Sequence, residues 1–344
     1  MSDNLEYAKG NRNRFQSFDE YSYANAYSVD IEELNIPEII IENLEFKNIK
    51  GKEPIFIPGT WFLAPRYMPY YHVVVDNIMY YEYLKLRHPE LKMGHVHTQI
   101  SKEIDEGLQD PFYYLIDYWK LNDLDFVADK QKNNYIFEKV IFLPNHAVWF
   151  DDRVVPFPFQ AKFAHYGFQR LHDPRATIVK KAREVLLSKV NTSIGPEKVY
   201  ASRIPTVSFK VRERMEGPDQ IAEKRSRVYE DEPVILEYFK SLGYTIVDNS
   251  ALGLWEQIEM YANASSIAGI SGSNIFNGIW SRPGTNIYEI HTTPFWSYTF
   301  LNYNAALGQN NISIARNEAV HLEWDPDIKV DINIIMKELR QLKL

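Results

Sequence analysis

The densest apolar run in the chain, YYHVVVDNIMYYEYLKL at residues 70–86, is too long for a strand, so its length predicts a helix in spite of its valines. Shorter apolar runs at 37–41, 55–58, 93–100 and 135–143 predict strands. Helices are expected at 110–121, 160–171 and 175–190, with an extended, proline-broken stretch at 153–159. The pattern is more regular in the second half. A strand at 198–202 is followed by a charged loop at 206–227, a helix at 232–242 closed by Gly243, a strand at 245–248 and a helix at 254–264. A strand at 266–270 then feeds a turn of small residues, Ser271, Gly272 and Ser273, and a helix that starts at Asn274. Pro283 and Gly284 break that helix before a strand at 286–290, and an amphipathic helix at 331–342 closes the chain.

Alternating strands and helices of this length predict a doubly wound α/β domain with a parallel sheet. The polar stretch at 191–197, with Gly195 and Pro196, marks the expected boundary. That gives an N-terminal domain at 1–190 that opens with an irregular arm at 1–35. A C-terminal domain follows at 197–325, then a closing helical segment at 326–344. In such a sheet ligands sit beyond the carboxyl ends of the strands, the edge where Arg203, the 271–274 turn and Glu289 fall.

Composition changes this picture little. With 344 residues, 45% apolar and 24% charged, the chain has the balance of a globular protein of two domains. A net charge of −8 gives no general electrostatic support for nucleic acid or an anionic membrane as partner. Cysteine is absent, which excludes disulfides and thiolate chemistry and fits a reducing compartment. No signal peptide and no apolar run of transmembrane length is visible, so a cytoplasmic location is expected.

Three groups of residues are candidates for chemistry. The turn at 271–274 offers backbone N–H groups to an anion, phosphate being the commonest; it is neither a dinucleotide fingerprint nor a Walker loop, and an ordinary β–α turn reads the same way. Arg203 and Arg227 bracket a basic cluster of Lys210, Arg212, Arg214, Lys224 and Arg225, either a diphosphate clamp or a solvated loop. His72 and Asp76, four apart on the first helix, share a face among apolar residues, as an acid–base pair or as a buried tie between helices. His95 and His97 alternate onto one face of a strand, but without a third ligand they make no metal site, and none is expected.

Together these residues resemble glycosyltransferase family 61, which includes protein O-linked N-acetylglucosaminyltransferases, plant xylan xylosyl- and arabinosyltransferases and bacterial capsular polysaccharide proteins. The resemblance is carried in family order by Tyr71, His72 and Asp76; by Ser202 and Arg203; by Arg227, Asp231 and Glu232; by Gly243, Tyr244 and Asp248; by Glu256 and Gln257; and by Gly272, Asn277, Pro283, Gly284, Thr285 and Glu289. Ser271 stands where the family usually has His, and Ser273 where it has Ala.

The resemblance implies a GT-B architecture, two Rossmann-like domains facing across a cleft, and an inverting, metal-independent transfer. The sugar would pass from a nucleotide-sugar donor, a UDP-sugar being the first choice, to a glycan or protein hydroxyl, with no other cofactor. The donor would be held by Arg203, Arg227, Ser271, Gly272, Ser273, Asn274, Asn277 and Glu289, the last accepting from ribose hydroxyls, while His72 or Asp76 takes the acceptor's proton. Two alternatives stand beside this: a GT-B-like glycan-binding or scaffold protein without transfer, and a nucleotide-sugar epimerase.

Overall fold

The computed structural model describes residues 38–46, 49–64, 70–97, 118, 126–129, 133–143, 175–204, 229–292, 298–315 and 329–342. The expected arm at 1–35, the stretch at 153–159, the helix at 160–171, the basic loop at 206–227 and all of the 110–121 helix except Tyr118 lie outside the described residues. Contacts divide the chain into two compact units. One takes Glu32–Lys189 with Gly253–Trp255, and the other Val190–Leu252 and Glu256–Leu344.

The first unit is built on strands β1 (Ile39–Phe46), β2 (Ile55–Ala64), β3 (Lys92–His97), β4 (Phe126–Asp129) and β5 (Tyr135–Phe142), in the order β1-β5-β2-β3-β4. Among the described residues only β1, at the edge, runs antiparallel to its neighbour, and every other pair is parallel. Strand β2 runs past Pro58, where a strand end is expected. The pairing with β5 shifts register between Ile57 and Thr60, and Gly59 takes φ +102° there. Such an irregularity tolerates proline's missing donor, so the strand resumes beyond it. One face packs Ile57, Trp61, Leu63, Phe137 and Phe142, with Trp61 and Phe46 both edge-on to Phe137.

The apolar run at 70–86 is helical, as its length requires, in three pieces: Tyr70–His72 and Tyr80–Lys85 are α, and Val73–Met79 between them is π. This composite helix, α1, is buried along its whole described middle, which is why it is apolar on every side. Its one glutamate, Glu82, is buried. It accepts from the Tyr118 hydroxyl at 2.7 Å and pairs with Lys189 at 2.5 Å, just past helix α2 (Arg175–Leu187). Burial and the neighbouring carboxylate push the Tyr118 phenol well above its ordinary value.

The second unit carries β6 (Lys198–Ser202), β7 (Thr245–Asp248), β8 (Ser266–Ile270), β9 (Asn286–Ile290) and β10 (Asn310–Ile314). All four pairings are parallel and the order is β10-β9-β8-β6-β7. Counted from β6 this is 2-1-3-4-5, one of the two common doubly wound orders. Helices α3 (Glu232–Ser241) and α6 (Ile332–Gln341) cover one face, through Ile235, Phe239, Ile335 and Leu339 against Tyr200, Ile270, Ile290 and Ile314. Helices α4 (Leu254–Ala262) and α5 (Tyr298–Ala306) and a 3₁₀ segment, Ile275–Trp280, complete the unit. The end of α3 is a Schellman turn. Gly243 has φ +81°, its N–H donates to Lys240 O, and the Tyr244 N–H donates to Phe239 O at 3.1 Å while their rings pack at 4.9 Å.

Candidate active site

In a 2-1-3-4-5 sheet the chain leaves β6 toward one side and comes back to build β8 on the other. A crevice therefore opens between the carboxyl ends of β6 and β8. Those ends are Ser202–Arg203 and the Ser271–Asn274 turn. Small residues bring them together. A Cβ on Gly269 would lie 2.9 Å from Ala201 O and 3.3 Å from Ile275 Cδ1, so only glycine lets β6 and the 3₁₀ segment approach so closely. The Asn274 amide then ties the two ends, donating to Ser202 O at 2.6 Å.

Arg203 lies across the turn. A Cβ on Gly272 would collide with Arg203 Nη2 and stand 3.0 Å from Cζ, and Gly272 has φ +135°, a backbone that side chains resist. The positive φ is what requires glycine at 272; a Cβ there would also displace the end of the Arg203 side chain. The Ser271 N–H donates to Ile290 O at 2.8 Å, whereas among the described residues no backbone carbonyl accepts from the N–H of Gly272 or Ser273. A guanidinium and half-buried N–H groups thus share one strand edge, the donor set suited to an anion.

Below the edge a polar network holds the turn. Asn277 has no exposure; its amide donates to Gln257 Oε1 at 2.9 Å and its oxygen accepts from Trp280 Nε1 at 3.2 Å. Gln257 donates to the carbonyls of Asn249 and Leu252, both at 3.0 Å. Asn249 donates to Asn274 O at 3.3 Å and accepts from the Tyr261 hydroxyl at 2.9 Å. Beside the turn, Glu289 is buried with both oxygens engaged, by the Ser271 hydroxyl at 2.7 Å and the Asn311 amide at 3.3 Å. On the Arg203 side Glu232 is buried too, and its Oε1 accepts from the Arg203 N–H at 2.7 Å. Burial raises the Glu232 carboxyl above its ordinary value, against the opposing pull of the Arg203 N–H and charge and the Tyr200 and Ser202 hydroxyls.

Of the residues singled out in the sequence, Arg203, Ser271, Gly272, Ser273 and Asn274 meet at one edge. Asn277 lies beneath it as a brace, and Glu289 beside it, holding Ser271. Arg227 lies outside the described residues, as do the side chains of His72, His95 and His97. Asp76 is fully buried in the π segment of α1. The winding between His72 and Asp76 is π, with i→i+5 hydrogen bonds, rather than α; positions four apart remain close to one turn apart in that winding. Among the described residues no three His, Asp or Glu side chains converge as a metal-binding group, and no helix is long and apolar enough to cross a membrane. Sequence reasoning gave no role to Glu232, Asn249 or Asn311. The available signal was polar residues at the ends of apolar strands and in the first turn of a helix. The family model described as Glycosyltransferase 61 matches residues 70–288. No curated protein matches the chain.

Proposed function

We propose, because the chain belongs to glycosyltransferase family 61, that it moves a sugar from a nucleotide-sugar donor, a UDP-sugar in the first instance, to a hydroxyl of a glycan or protein. In this reading the second unit holds the donor diphosphate. Arg203 and Arg227 pair with phosphate oxygens, and the backbone of Gly272 and Ser273 donates to them. The Ser271, Asn274, Asn277 and Glu289 side chains keep that turn in place. The first unit serves the acceptor. The transfer is a single displacement with inversion: the acceptor oxygen bonds to the anomeric carbon as the bond from that carbon to the diphosphate oxygen breaks. The nucleoside diphosphate leaves with the electron pair. His72 or Asp76 takes the acceptor proton, a task for which an imidazole near neutral pH or a buried carboxylate is suited. The growing charge on the leaving group is met by guanidinium and N–H groups, so the reading requires no metal.

The observation that carries this reading is the guanidinium of Arg203 laid over Gly272 at the switch point of the sheet. Thermal melting with UDP, GDP, CMP and their sugars tests it. A ligand at about a hundred times its Kd stabilises by about 2.7 kcal/mol, so UDP and a UDP-sugar should raise Tm by several degrees. Arg203→Ala should remove that rise. A native protein whose Tm none of these ligands moves would sink the reading.

A further inference from the structure

We propose that Glu232 is a positioning residue of the donor site, its buried carboxylate fixing the backbone of Arg203 so that the guanidinium lies over the turn. The proposal rests on the donor reading given above. Glu232 opens helix α3, and that helix is seated on the sheet by Ile235 and Phe239, so the carboxylate starts from a fixed support. With 1% exposure, it places Oε1 where three groups of the β6 exit converge: the Arg203 N–H at 2.7 Å, the Tyr200 hydroxyl at 3.3 Å and the Ser202 hydroxyl at 3.4 Å. The next residue is held as well, the Ile204 N–H donating to Ser202 Oγ at 3.0 Å. The turn at the end of β6 is therefore set by one oxygen from a helix 29 residues further on.

A buried carboxylate is costly, burial raising its proton affinity, and of its three donors only the Arg203 N–H is as short as 2.7 Å. The charge is well used if the group it holds must carry a guanidinium to a set point. Arg203 must cross Gly272 at contact distance, and a rotation of its backbone would swing the guanidinium off the turn.

The test compares Glu232→Gln, which keeps an acceptor oxygen, with Glu232→Met, which keeps the shape and removes the acceptor. For the full chain, UDP and uridine affinities are measured by calorimetry and Tm by melting. Glu232→Gln should bind UDP within about threefold of the native protein, while Glu232→Met should bind it at least about tenfold more weakly, the scale of losing an N–H bond to a charged acceptor. Uridine affinity should be the same in all three. Unchanged UDP affinity in Glu232→Met, equal loss in Glu232→Gln, or parallel loss of UDP and uridine would overturn the proposal. If the native protein binds no UDP, the donor reading fails by itself. Amide hydrogen exchange at Arg203 then decides the role of Glu232: faster exchange in the Met variant than in the Gln variant sustains it, and equal exchange overturns it.

Discussion

Helix α1 and the edge of the second sheet each hold candidate chemistry, and they are assembled in opposite ways. In α1 both candidates come from one continuous segment, and Asp76 is buried among Val73, Val74, Val75, Ile78 and Met79. At the sheet edge the residues come from separate elements, and the buried carboxylates Glu232 and Glu289 brace the Arg203 backbone and the Ser271 side chain. One site is placed by the winding of a helix. The other is placed by strand order, which brings Ser202 and Asn274 within hydrogen-bonding distance across 72 positions of sequence. The sheet edge is sensitive to small residues at the contacts.

The sharpest test is on the helix side. His72→Ala and Asp76→Asn should each lower turnover by about a hundredfold or more with UDP affinity retained, the scale of a lost general base. Near-native turnover in both would leave all of the chemistry to the sheet edge. On the other side, Gly272→Ala forces Arg203 off the turn, and turnover should fall by about a hundredfold in a protein whose circular dichroism is unchanged. Retained activity would show that Arg203 does not need the turn. A smaller effect should come from the network below. Asn277→Ala removes a partner from both Gln257 and Trp280 and should cost about 1–3 kcal/mol in urea unfolding, with UDP affinity less affected than by Gly272→Ala. The smallest effect is a pH dependence. Because burial holds the Glu232 carboxyl above its ordinary value, the folded protein binds that proton more tightly than the unfolded chain. Its contribution to stability is complete below the ordinary carboxylate range and is lost as pH rises through the raised value. Glu232→Gln should remove this loss, so on melting between about pH 4 and pH 7 the native protein should lose more Tm than the variant.

Much of the second unit was legible because its signals are local. Strands β6, β7, β8 and β9 fall at their expected residues, since short apolar runs between turn residues leave little choice of boundary. Gly243 ends α3 as a left-handed glycine should. Strand β10 escaped notice because its sequence, NNISI, is mostly polar; Asn311 there serves Glu289 rather than the core. Helix α5 and strand β4 were missed as well, elements too short to carry a periodic pattern. The convergence of Arg203 on Gly272 was suggested by the strand pattern, but the closeness of the approach was not: contact with a side chain 69 positions earlier (272 − 203) has no local trace. The π winding of α1 was equally hidden, because an apolar helix buried all round has no amphipathic stripe to reveal its pitch.

The bond from Asn274 to Ser202 has a further consequence, for folding. Parallel neighbours cannot pair through a hairpin; β6 meets β8 only after the chain has made β7 and α4 and returned, a closure of high contact order. A growing chain that has completed α3 already holds Arg203 and Glu232 but has nothing for the guanidinium to lie on. This edge thus has no partial form and, if it holds the donor as proposed, a nascent or truncated chain that ends before β8 should be unable to capture a nucleotide.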